Sequence, residues 1–183
     1  MPASRTVYNI SPSPDSTLAV EVRKTGLLKR KHLFVFEQYS GTLTYDPGEP
    51  LNSTFNLTVE AGSLVSRDAS SKPSRQRKLT RFALSEALRA EEHPVLLLQS
   101  ERFLAKPLRG FVVEGKLCFR QTSRPFKANI GFGVPKKDRL QIDADSTLRL
   151  SDYGIRRPSS LFGLIRTEDD VVLHALLWGT STS

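Results

Sequence analysis

The sequence predicts a mainly β protein: a single antiparallel, lipocalin-like β-barrel of about eight strands with one helix. Segments in which apolar and polar residues alternate recur along most of the 183 residues, as in half-buried strands. Turn-forming Gly, Pro and Asp residues separate these segments. Only one segment changes to a helical period, so the chain lacks the repeated helices that connect parallel strands.

The first elements follow in order from the N-terminus. Residues 1–16 contain several prolines and are expected to form a flexible arm, which leaves residues 17–183 for the barrel domain. The first strand is expected from Thr17, where Leu18, Val20 and Val22 share one parity. A long aromatic strand is expected from His32 to Tyr45, and a third from Ser53 to Val59.

The middle of the chain changes character. Residues 66–78 are polar and basic without periodicity, which is typical of a loop. Residues 79–92 follow a helical period and end before Pro94. Asp169-Asp170 is expected to form a hairpin turn before the last strand. Five further strands complete the count: Val95–Phe103, Gly110–Gln121, Arg124–Gly133, Arg139–Leu150 and Val171–Trp178.

The composition limits the location and the partners. The net charge is +8, with basic clusters in expected turns at 29–31, 72–81, 136–137 and 156–157. These clusters lack the interleaved aromatic residues that stack on bases, so a solvated rim is expected and nucleic acid is not. A basic barrel that associates with nucleic acid, or with an anionic membrane surface, is the alternative function. Without an apolar leader or a long apolar run, the protein is expected to be cytoplasmic.

The residues that could carry chemistry are few. No His, Cys or acidic residues have metal-ligand spacing, and no nucleophile or phosphate-binding motif is present. We therefore expect a protein that is not an enzyme, with no metal and no cofactor. His32 shares its parity with Phe34 and Phe36 and is expected to face the interior. It can be a structural histidine, a hydrogen-bond partner of a ligand head group, a metal ligand, or a base that lacks an evident partner.

Four segments together resemble the YceI-like family, the lipid- or polyisoprenoid-binding proteins of bacteria. They are Tyr8-Asn9-Ile10 with Ser16 and Leu18–Val22, then Lys24–Leu28 with His32 and Ser40-Gly41, then His93–Ser100 with Val113–Leu117, and last Asp152-Tyr153-Gly154-Ile155. The family often has an arginine at the position of Leu150 and a glycine at that of Gln121. This chain departs from the pattern at both positions.

The resemblance implies that the barrel holds an isoprenoid, quinone or fatty-acyl chain lengthwise. The partner expected from it is thus an apolar lipid, with an anionic membrane surface and a homodimer as further options. Large apolar side chains at inward positions would form the wall. The expected ligand-binding residues are Phe34, Phe36, Leu96, Leu98, Phe119, Phe132, Phe162 and His32.

Overall fold

Short amphipathic strands dominate the structure, a computed structural model in which every paired strand is antiparallel. It describes residues 5–25, 30–69, 71–107, 110–133, 138–157, 159–160 and 165–181. The first six strands are β1 (Thr6–Ile10), β2 (Thr17–Lys24), β3 (Lys31–Phe36), β4 (Tyr39–Tyr45), β5 (Thr54–Glu60) and β6 (Leu64–Ser66). The others are β7 (Val95–Ala105), β8 (Phe111–Phe119), β9 (Thr122–Phe132), β10 (Arg139–Arg149), β11 (Ser159–Ser160) and β12 (Ile165–Ser181).

One helix interrupts the strands. Helix α1 (Pro73–Phe82) continues into a π-helical segment at Ala83–Leu88, which ends at Arg89 with a left-handed backbone. Short 3-10 turns connect other elements, at Pro50–Asn52, Ala61–Ser63 and Leu150–Tyr153.

The strands close into a ring. Over the described residues, eight strands follow one another in the order β1, β4, β5, β7, β8, β9, β10 and β12, and β12 pairs again with β1. The long strand β12 pairs through Thr167–Leu176 with β2 and through Gly179–Ser181 with β1. From the first part of β12, the sheet also continues through β2 and β3 to β6. The predicted fold class, an antiparallel eight-stranded barrel with one helix, is confirmed.

Alternation along each strand decides which side chains face inward. On β3, His32, Phe34 and Phe36 are buried, whereas the intervening Leu33 is 38% exposed. Successive side chains of a strand point to opposite faces, so a single parity supplies the barrel interior. The same rule places Leu18, Val20 and Val22 of β2 on the inner face, because Val20 and Val22 lie directly opposite Phe34 and His32.

The interior is filled at the end of the barrel that contains β1. The side chains there are almost fully buried and include Ile10, Leu43, Phe103, Val113, Leu140, Ile142 and Leu177. The Phe132 ring packs between those of Tyr45, at a centroid distance of 4.8 Å, and Phe111, at 5.7 Å. Close packing of this kind disfavours a chain-like ligand at this end, whereas the apolar cavities described below lie at the opposite, helical end.

The flexible arm expected over residues 1–16 is wrong for residues 6–10, which form strand β1. Its Tyr8 and Ile10 are buried, while Val7 is 39% exposed. β1 pairs with β4 on one side and with β12 on the other. Pro12 and Pro14, which indicated an arm, follow the strand and do not interrupt it. A strand of five residues is too short for its alternation to be distinguished from chance, and its stability comes from the two neighbouring strands.

The helix also begins earlier than expected. The segment 66–78 is not a loop throughout, because α1 begins at Pro73. Proline suits the first position of a helix, and the Arg, Gln and Lys residues that follow are good helix formers. Most of this part of the helix is exposed, so it has little of the apolar periodicity that revealed the later part.

The expected turn at Asp169-Asp170 is likewise wrong, since both residues lie inside β12. An irregularity in the pairing of β12 with β2 falls between Thr167 and Val171. The Asp169 carboxylate accepts hydrogen bonds from the backbone N–H of Ser151, at 2.9 Å, and from its hydroxyl, at 2.6 Å. The two aspartates therefore lie at a bulge, and Asp169 anchors the turn that follows β10.

Candidate ligand cavity

An apolar cavity of about 320 Å³ lies between the helix and strands β2 and β3; we call it the helix cavity. One of its sides is formed by strand residues whose side chains face the interior, such as Val22 and Phe34. The opposite side is contributed by Leu79, Ala83 and Ala87 of the helical segment. The helix thus completes the wall where β6, only three residues long, ends the sheet.

A second, smaller apolar cavity of about 130 Å³ lies deeper; we call it the inner cavity. Leu57, Leu98 and Leu117 line it from β5, β7 and β8. The two cavities share six wall residues, Val20, Phe36, Leu88, Leu150, Ile155 and Val171. The two cavities therefore adjoin at the helical end of the barrel.

Tyr153 is a buried polar group in the wall of the inner cavity. Burial, reinforced by the nearby Asp152 carboxylate, raises the pKa of Tyr153 to about 12. Its phenol is therefore neutral over the whole physiological range.

His32 marks the point where the apolar space meets a polar one. Its side chain lines the helix cavity and also a solvent-facing pocket of about 590 Å³, which we call the basic mouth. His32 is 4% exposed, and its Nδ1 lies 2.8 Å from Oδ2 of the buried Asp68. An ionised carboxylate only accepts, so Nδ1 carries the proton in this pair.

Asp68 is held by its own neighbours. The Ser71 hydroxyl donates to the same carboxylate at 2.9 Å. The Gln76 side-chain amide, from α1, donates to the Asp68 carbonyl at 2.9 Å and to the Ser71 carbonyl at 3.2 Å. These bonds fix the segment before the helix against His32, so the orientation of the imidazole ring depends on where α1 lies.

Basic side chains surround the mouth. Arg30 and Lys31 contribute from the start of β3, and Lys72 and Arg75 from the start of α1. Lys24 lies nearby in the wall of the helix cavity. Burial lowers the pKa of Lys24, and the positive charges of Arg75 and Arg30 lower it further. Two of the basic clusters that were expected in separate turns therefore meet at one opening.

Arg120 positions the helix above the cavities. It lies in the tight turn between β8 and β9 and has a positive φ. Its guanidinium donates to the carbonyls of Ala87, at 2.5 Å, and Leu88, at 3.3 Å, at the end of the π-helical segment, and to that of Gly154, at 3.0 Å. Cationic donors suit the carbonyls at a helix C-terminus. One side chain thus joins the helix to two loops.

The structure brings six of the eight expected ligand-binding residues together. His32 and Phe34 line the helix cavity, Phe36 lines both cavities, and Leu96, Leu98 and Phe119 line the inner cavity. Phe132 lines neither and packs instead in the aromatic cluster at the filled end. Phe162 lies outside the described residues.

The sequence interpretation missed part of the wall. The helical period over residues 79–92 brings Ala83, Ala87 and Leu88 onto one face, and Val20 shares one strand parity with Leu18 and Val22, but the sequence assigned none of them to a cavity. Their shared periodicity marked an interior face, but periodicity cannot tell a filled interior from a hollow one. Leu150 ends an expected strand and Ile155 belongs to the Asp152-Tyr153-Gly154-Ile155 motif, but the sequence assigned neither of them to a cavity wall.

The sequence profile of the YceI-like domain matches residues 8–177, nearly the whole chain. The chain belongs to the YceI-like family. The resemblance carried by its four motifs is thereby confirmed. No protein of curated function matches this YceI-like sequence.

Solved structures share the YceI-like fold at low identity. BcnA of Burkholderia cenocepacia is 13% identical, with a TM-score of 0.71 over 90% of this chain and 96% of BcnA. A polyisoprenoid-binding domain from Saccharophagus degradans, implicated in plant cell wall breakdown, is 10% identical, with a TM-score of 0.66 over 96% and 99%. The YceI protein of Campylobacter jejuni is 16% identical, with a TM-score of 0.61 over 82% and 85%.

Among the described residues, no helix of this YceI-like chain has the length and apolar character needed to cross a bilayer.

Proposed function

We propose that this YceI-like protein binds one slender apolar chain, of the isoprenoid, quinone or fatty-acyl type, in the helix cavity and the inner cavity. The observation that carries the proposal is the division of the barrel interior. One end is packed with side chains, whereas the other holds two adjoining cavities with predominantly apolar walls. The solved relative from Saccharophagus degradans is itself described as a polyisoprenoid-binding domain.

The energetics favour a chain over a compact ligand. Apolar surface gains roughly 25 cal/mol for each Å² that leaves water, so a long, thin ligand gains most when its whole length is enclosed. Ligand-binding clefts usually combine apolar walls with a few polar groups that fix one end. Here Phe34, Phe36 and Leu98 supply the apolar contacts, and the function needs no catalytic group.

The first test identifies the lipid that co-purifies with the protein and measures farnesol binding by a variant whose cavities are filled. Val20 lines both cavities, so Val20→Trp would occupy them with an indole and weaken the binding of farnesol by at least about tenfold. Overpacking costs about 1–3 kcal/mol, so thermal unfolding must accompany titration calorimetry. Mass spectrometry of an organic extract of the wild-type protein is expected to reveal a long-chain lipid.

The matched control is Val95→Trp on β7, because Val95 is 40% exposed and lines neither cavity. It is expected to bind farnesol like the wild type. The proposal fails if the extract contains no lipid and the wild-type protein binds neither farnesol nor farnesyl phosphate. It also fails if the two tryptophan variants weaken binding equally.

A further inference from the structure

The inner cavity ends against one further row of inward-facing residues. Leu57, Leu98 and Leu117 lie opposite one another on β5, β7 and β8 and line this cavity. Because inward positions recur at every second residue, the next row lies two residues along each strand toward the filled end. We call this row the floor; it consists of Phe55 on β5, Ser100 on β7, Gly115 on β8 and Phe126 on β9.

Two phenylalanine rings supply most of the bulk of the floor. Phe55 and Phe126 are both buried. The hydroxyl of Ser100 is engaged, because it accepts a hydrogen bond from the backbone N–H of Phe55 at 2.8 Å. Gly115 has no side chain, and a Cβ there would clash with the carbonyl oxygen of Gln99. Since no larger residue fits at Gly115, the ring of Phe126 opposite it decides how deep the cavity is on this side.

Beyond the floor the interior is filled. Val113 on β8 and Ala128 on β9 lie opposite each other in the following row, and both are almost fully buried. Phe103 faces Val113 from β7 and is buried as well. Side chains packed as closely as this leave little volume for ligand atoms. A chain that enters from the helical end would therefore end at the floor.

The space above the floor suits a short chain. The helix cavity has a volume of about 320 Å³ and the inner cavity one of about 130 Å³. A methylene group is about as large as a water molecule, whose share of the liquid is about 30 Å³, so the two cavities accommodate on the order of fifteen carbons. Carbons beyond this number stay in water and add no hydrophobic stabilisation.

We propose that the protein selects apolar chains of about fifteen carbons, the length of three isoprene units, and that Phe126 determines this limit. Shorter chains leave part of the inner cavity empty, and longer chains leave their additional carbons outside the barrel. The inference rests on the proposed function, because it assigns a length to the chain that the two cavities hold.

The test compares probes that differ only in chain length. Titration calorimetry measures the binding of geraniol, farnesol and geranylgeraniol, alcohols of two, three and four isoprene units, to the full chain, with each alcohol below its aggregation concentration. We expect farnesol to bind at least about tenfold more tightly than geraniol, because its additional unit is enclosed. Geranylgeraniol is expected to bind within about twofold of farnesol, because its fourth unit finds no space.

Two positions change the depth of the inner cavity in opposite directions. Phe126→Ala removes a ring of roughly the size of one isoprene unit, and is expected to make geranylgeraniol bind at least about fivefold more tightly than farnesol. Phe126→Leu should shift the preference the same way by about threefold, and it serves if the alanine variant does not fold. Leu117→Phe fills the inner cavity from its wall, and is expected to weaken farnesol about tenfold and geraniol hardly at all.

The matched control is Phe132→Leu. Phe132 lies on the same strand as Phe126 but packs in the aromatic cluster at the filled end. This variant is expected to keep the wild-type order of affinity for the three alcohols. Thermal unfolding of each variant shows that it is folded before the titrations are compared.

The outcomes separate the two proposals. If the affinity rises as steeply from farnesol to geranylgeraniol as from geraniol to farnesol, the length limit is wrong while the proposed function stands. If none of the three alcohols binds, both fall. If Phe126→Leu and Phe132→Leu change the preference equally, or if neither Phe126 variant changes it, the floor does not set the length and the inference is overturned.

Discussion

Arg120 shows how much a single side chain can determine at the residue scale. It donates to carbonyls of the π-helical segment and of Gly154, so it holds the helix over the cavities. Burial lowers the pKa of its guanidinium, yet an arginine stays charged at any pH the fold survives. The sequence gave no indication of this role, because three carbonyl acceptors from two distant segments meet only in the fold.

Replacing Arg120 by alanine is expected to lower the free energy of unfolding by about 2–3 kcal/mol, since hydrogen bonds to a charged group are lost and helix carbonyls are left without a donor. Arg120→Lys should recover only part, because a lysine cannot reach three acceptors with a planar fork. The measurement is unfolding in urea. The comparison is Arg67→Ala, whose exposed pair with Glu37 is worth less than about 1 kcal/mol; equal losses would contradict the role given to Arg120.

At the element scale, the strands could be predicted wherever alternation extended over several residues. The sequence correctly indicated β5, β7, β8, β9 and β10, with ends displaced by a few residues. The sequence did not predict β1, because an alternation of apolar and polar residues over five positions is too short to recognise. It also did not predict the first turns of α1, because their exposed residues have no apolar period. It also joined β3 and β4 into one strand, because residues 37–38 break the pairing without a turn signal.

Strand β1 offers a direct test of that correction. Ile10 is 2% exposed within the core, so Ile10→Ala is expected to lower the free energy of unfolding by about 2–5 kcal/mol. Val7 lies on the same strand and is 39% exposed, so Val7→Ala should cost less than about 1 kcal/mol. Denaturant unfolding of both variants provides the measurement. Small, similar losses would mean that residues 6–10 contribute no wall to the barrel.

At the scale of the whole molecule, one end of the barrel is packed with side chains and the other end contains cavities. Close packing among Phe103, Val113 and Ile142 fixes the shape of the ring, while the helical end keeps space that water must occupy or a ligand must fill. The sequence predicted the barrel and, by resemblance, it indicated the ligand class that we propose. It could not predict which end is hollow, because inward-facing leucines and phenylalanines look alike in both halves.

Ligand occupancy is therefore expected to control the stability of the whole barrel. A ligand that binds only the folded state, at a hundredfold excess over its Kd, adds about 2.7 kcal/mol. For a chain of this size, the Tm should rise by about 5–10 °C when farnesyl phosphate is added to extracted protein. Differential scanning calorimetry measures the shift. The Val20→Trp variant should show almost none, and a full shift in that variant would place the ligand outside the cavities.

The pairing of β12 with β1 closes the barrel, and in it Tyr8 lies opposite Ser181, which is far away in the sequence. This pairing makes closure a late event during synthesis on the ribosome. Strands β4 to β10 can form their hairpins as they emerge, but β1 must wait with one edge unpaired until β12 arrives. Contacts so distant in sequence slow folding, and an open edge invites pairing with another chain. The edge of β1 is therefore expected to be prone to pairing with another chain until β12 has been made.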